Sequence, residues 1–148
     1  AQLRTAKAEH SFADLIAKIE AGPTGLSLFR IPGVGSSTNL VEFFIHHEDL
    51  RRAGEHPLSP RVLPDAMESA LWVALSRTKR LFFRNTPFGV IVATPHGKSF
   101  AVGRDFEATI VGRPSELVLY SSGRTGAAQV DVKAEPLASQ RLAGSLRL

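Results

Sequence analysis

The sequence predicts an α+β protein, a helical front followed by a small mixed α/β region. Two observations predict it. Up to about residue 83 the apolar residues recur at helical spacing, and beyond Pro87 they alternate with a period of two. Behind that change the elements read β-β-β-α-β-α, the order of helices laid against one sheet. The boundary near Asn85-Thr86-Pro87 divides the chain into a helical region, 1–84, and a C-terminal α+β region, 85–148.

The first helix opens at Ser11, with Asp14 three residues on as a weak capping box. Phe12, Leu15, Ile16 and Ile19 form its apolar stripe, and Gly22-Pro23 ends it. A Gly-, Pro- and Ser-rich loop follows to about residue 37. Its GVGSST stretch lacks the Lys of a phosphate-binding loop and reads as an entry turn. A second helix is expected over 38–53 and a third over 64–83, the latter with Pro64 at its first position and Met67, Leu71, Ala74 and Leu75 as its stripe. FGVIVAT and KSFAVG, joined at Pro95-His96-Gly97, read as a hairpin. DFEATIVG is a third strand, RPSELVLYSSGR a short helix stopped at Gly123, AAQVDVKAE a fourth strand, and PLASQRLAGSL a closing helix.

Composition narrows the chemistry. Hydrophobic residues make up 43% and charged residues 22%, which is ordinary globular composition and not that of a disordered chain. No run of about 18 uncharged apolar residues is present, so no membrane helix is expected, and the N-terminal stretch has no signal-peptide core. A cytoplasmic protein is the expectation. With no Cys, metal ligation is left to imidazole and carboxylate, which suit Zn, Ni, Fe or Mn. The net charge of +4 is modest and its basic residues are scattered without interleaved aromatics, which argues against a nucleic-acid partner.

One constellation stands out. Glu42 and His46, one turn apart on the second helix, share a face, and Asp49 returns to it. Leu40, Val41, Phe43, Phe44, Ile45 and Leu50 surround them, so the helix is expected to be buried all round. A buried carboxylate must be neutralised. A Glu-His or Glu-Arg pair would do it; so would a divalent metal held by Glu42 and His46 with a third ligand from another element. Asp49 is expected either to orient His46 or to pair with Arg51 or Arg52. His47, about 100° away, is a surface or outer-sphere residue. Arg51 and Arg52 suit the helix C-terminus. Arg124, behind Gly123, suits a helix cap more than an anion site.

The segment NLVEFFIHHEDLRRA resembles a signature of the DinB-like, mycothiol-dependent maleylpyruvate isomerase superfamily, in an actinobacterial branch described as metal-binding. AGPTGLSLFRIPGV before it, and ATIVGRPSELVLYSSGR and VDVKAEP after it, are similar to the same family. The resemblance implies a helical bundle, here partial, followed by a sterol-carrier-like domain. It implies a divalent metal, commonly zinc, held by Glu42 and His46, and a third His ligand on helices upstream of Ala1. On this reading the chain is a fragment or a processed product, completed by oligomer contacts or a domain swap. The activity implied is thiol transfer to, or thiol-assisted isomerisation of, a small electrophile, with mycothiol as co-substrate. The alternatives are a non-catalytic metal- or small-ligand-binding module, an inactive fragment, and a purely structural Glu42 pair.

Overall fold

A computed structural model describes residues 34–52 and 58–146. The elements are α1 (Val34–Arg52), α2 (Asp65–Phe82), β1 (Gly89–Ala93), β2 (Ser99–Val102), β3 (Phe106–Val111), α3 (Pro114–Ser121), β4 (Asp131–Ala134) and α4 (Pro136–Ser145). The fold is mixed α and β, and the β-β-β-α-β-α order expected beyond Pro87 is present. The helix expected around Phe12–Ile19, His10 and His56 lie outside the described residues. α1 begins at Val34, so residues 34–37 form its first turn and not a loop leading into it. Among the described residues no helix is long and apolar enough to cross a membrane.

The sheet runs β2-β1-β3-β4, antiparallel at both edges and parallel between β1 and β3. Its register builds one apolar face from two cross-strand rows. Val102, Val90, Ala108 and Ala134 form the first, and Phe100, Val92, Ile110 and Val132 the second. Both rows follow from the two-residue period of a pleated strand. The central members, Val90, Val92, Ala108 and Ile110, are buried. On the other face Ala101, Ser99, Asp131 and Lys133 of the edge strands are exposed, while Ile91, Ala93, Thr109 and Val111 of the central strands are partly buried. Gly89 is required where β1 passes the β2–β3 turn. A Cβ there would sit 2.6 Å from the Arg104 carbonyl oxygen and 2.7 Å from the Phe106 ring.

α2 contributes Leu71, Trp72, Ala74, Leu75 and Phe82 to the core. Trp72 reaches the sheet at Phe100, ring centroids 5.3 Å apart, and Phe83 meets the same ring at 6.5 Å. α2 and the sheet therefore share one core. α4 adds Ala138 and Leu142.

α3 is buried from Ser115 to Ser121, an unusual setting for a helix of eight residues. Its ends must then be satisfied internally. At the N-terminus Glu68 of α2 accepts the Ser115 backbone N–H and hydroxyl, both at 2.8 Å. At the C-terminus Gly123 takes φ +90°. Its N–H donates to the Tyr120 carbonyl at 3.0 Å, and the Arg124 N–H donates to the Leu119 carbonyl at 3.0 Å. That pair of bonds is a Schellman motif. Gly123 thus ends the helix as its sequence position suggested.

Candidate functional site

α1 meets the rest of the protein along one stripe. Val41, Phe44, Ile45 and Glu48 are buried, spaced i, i+3, i+4, i+7. Glu42, Phe43, His46, His47 and Leu50 are exposed. This corrects the expectation of a helix buried all round. Apolar side chains do occupy most of its circumference, but only one face is covered: Phe43 is 76% and Leu50 81% exposed. The carboxylate that α1 carries into the interior is Glu48, not Glu42.

Glu48 is 1% exposed and gathers three guanidinium groups. Arg51 Nη1 donates to both its oxygens at 3.0 Å, and Arg52 Nε donates to Oε2 at 2.8 Å. Arg61 Nε lies 3.0 Å from Oε1. Burial pushes the Glu48 carboxyl up, but the hydrogen bonds and charges of Arg52 and Arg51 outweigh it and hold it below its usual range. Arg52 turns its other edge to Glu116, 1% exposed on α3, with bonds of 2.7 and 3.0 Å, and donates to the Ala127 carbonyl at 2.8 Å. Glu116 also accepts the Gln129 N–H at 2.8 Å. Arg52 therefore bridges two buried carboxylates, one on each helix, in a planar fork that a Lys could not reproduce.

Asp49 is spent on Arg124. The two form a bidentate pair at 2.7 and 3.0 Å, and Arg124 Nη1 also donates to the Ser122 carbonyl at 2.8 Å. The Arg124 hydrogen bond holds the Asp49 carboxyl down, burial opposes it, and the Arg124 and His46 charges lower it further. His46 is thus an electrostatic neighbour of Asp49, with no hydrogen bond between them among the described residues. Arg51 and Arg52, the other expected partners of Asp49, are committed to Glu48. His47 stands half exposed, with its Nδ1 3.1 Å from Arg61 Nη2.

Glu42 and His46 share the outer side of α1 and, among the described residues, take part in no side-chain hydrogen bond or ion pair. His46 opens onto a concave surface of about 520 Å³ whose lining is chiefly Leu40, Phe43, Phe44, Leu50 and Met67, with His47 and Arg61 at its polar side. Among the described residues no three His, Asp or Glu side chains come together as a metal cluster. Glu42 and His46 would supply one carboxylate oxygen and one imidazole nitrogen, donors that suit zinc, and both are unengaged among the described residues.

Comparison with protein-family models, curated proteins and solved structures finds no match.

Sequence reasoning missed Glu48, Glu68 and Glu116. For Glu48 a signal existed: it continues the Val41, Phe44, Ile45 stripe, and Arg51 and Arg52 stand three and four residues beyond it. For Glu116 the signal was a lone carboxylate inside the otherwise uncharged run Ser115–Ser122. Glu68 offered none, because its partner lies 47 residues away.

Proposed function

We propose that this is a divalent-metal-binding protein, with zinc held in part by Glu42 and His46, that acts with a small thiol such as mycothiol on a small electrophile. The observation that carries the reading is the pairing itself. A carboxylate and an imidazole sit one turn apart on one side of α1, unengaged among the described residues, and the imidazole lines an apolar concavity able to take a small organic molecule. The remaining ligand comes from outside the described residues. When bound, the metal supplies Lewis acidity that lowers the pKa of a thiol. The chain's own residues do the rest. Asp49, expected from the sequence to orient His46, is instead held by Arg124 and fixes that end of α1. Phe43, Phe44 and Leu50 offer apolar surface to the electrophile.

The test is metal analysis of the purified protein beside Glu42→Ala and His46→Ala. Both substitutions are expected to remove the bound metal and, compared in the absence of metal, to leave folding stability within about 0.5 kcal/mol, because neither side chain is buried and, among the described residues, neither is hydrogen-bonded. Metal content unchanged in both variants would sink the assignment. Thiol transfer from mycothiol to a panel of electrophiles then checks the activity.

A further inference from the structure

A second cleft, of about 360 Å³, opens where the approach to α2, the β1–β2 turn and the entry to α3 meet. Val62, Leu63, Pro95 and Pro114 give it an apolar lining, and its charged groups are Lys98 and Arg113 together with Asp65 and Glu68, with the His96 imidazole beside them. The frame is fixed on two sides. In the turn the Thr94 N–H donates to the Lys98 carbonyl at 2.8 Å, the Lys98 N–H donates to Thr94 Oγ1 at 3.2 Å, and Gly97 takes φ +84°. At the entry to α3 both oxygens of Glu68 are occupied by Ser115. Glu68 is therefore bound to the helix and does not pair with the cations beside it. Among the described residues neither the Lys98 ammonium nor the Arg113 guanidinium has a hydrogen-bonding or ion-pairing partner, although Arg113 is only half exposed.

Two cations and an imidazole converging on an apolar-lined cleft make a receptor for anionic oxygen attached to a small organic body. The acidic groups refine the class. Asp65, exposed and unpartnered among the described residues, repels a multiply charged anion such as a polyphosphate, and the negative charge of Glu68 adds to that. We propose that this cleft binds a small organic monocarboxylate. Its carboxylate is received by Arg113 and Lys98, and its apolar body lies against Val62, Leu63, Pro95 and Pro114. The site is independent of Glu42 and His46.

The experiment is a titration of the isotopically labelled full chain with benzoate, followed by amide NMR, with acetate and inorganic phosphate as comparisons. Benzoate is expected to shift the amides of Thr94, His96, Gly97, Lys98 and Ser115 saturably, with acetate and phosphate binding more weakly. Arg113→Gln is expected to weaken benzoate about tenfold, the worth of one charged hydrogen bond. It leaves the fold intact, as unchanged amide positions elsewhere verify. Glu42→Ala is expected to change nothing. No saturable shift, undiminished binding in the Arg113→Gln/Lys98→Gln double variant, acetate equal to benzoate, or phosphate as tight as benzoate would each overturn the proposal.

Discussion

Two carboxylates on α1, six residues apart, have opposite fates. Glu42 faces outward, and Glu48 is sealed beneath Arg51, Arg52 and Arg61. Replacing Glu48 by Gln leaves guanidinium charge facing a neutral amide, with Arg52 only 7% exposed. Removing one partner of a buried pair costs about 3 kcal/mol or more. Urea denaturation should show that loss for Glu48→Gln. Arg124→Ala should cost about 1 kcal/mol, because its pair with Asp49 is a third exposed and partly screened. The sequence made the residue types and their spacing visible. It did not reveal which carboxylate faces inward, because that depends on what covers α1, and Glu116 and Arg124 come from 64 and 75 residues downstream.

At the scale of elements, the strands and helices beyond Pro87 were readable to within a residue or two, except the fourth strand. It is expected over AAQVDVKAE but confined to Asp131–Ala134, because residues 127–130 still belong to the connection behind α3. Turn and cap residues mark them locally: Gly97 in the hairpin, Pro114 and Pro136 at first helical positions, Gly123 at a helix end. The front of α1 was less legible, since Gly35, Ser36 and Ser37 are weak helix formers, yet they are helical. The ends of α3 offer a test of local backbone chemistry. Gly123→Ala forces a side chain onto φ +90° and should cost about 1–2 kcal/mol, whereas Gly126→Ala, with open space around it, should be near neutral. Glu68→Ala strips the buried N-terminus of α3 of its acceptor and should cost about 2 kcal/mol. Thermal unfolding of the three variants ranks them.

For the molecule as a whole, stability should depend on acid in a defined direction. Glu48 and Asp49 are held below their ordinary values, which lie at about 4, and they recover those values in the unfolded chain. Their contribution is therefore complete above pH of about 5 and is lost as pH falls through their depressed folded values. Stability measured between pH 7 and pH 2 should fall on that acid side. A Glu48→Gln/Asp49→Asn variant should start lower and fall less steeply.

The Arg52 bridge between Glu48 and Glu116 bears on whether the C-terminal half can stand alone. A piece beginning at Leu58 would keep the sheet, α2, α3 and α4, yet Glu116 would retain only the Gln129 N–H against its charge. α1 thus acts as an intramolecular counterion, supplied by one segment and consumed by another. A separate peptide spanning residues 34–57 should restore to that piece the stability it lost, rising with the logarithm of peptide concentration, whereas the same peptide carrying Arg52→Gln should not.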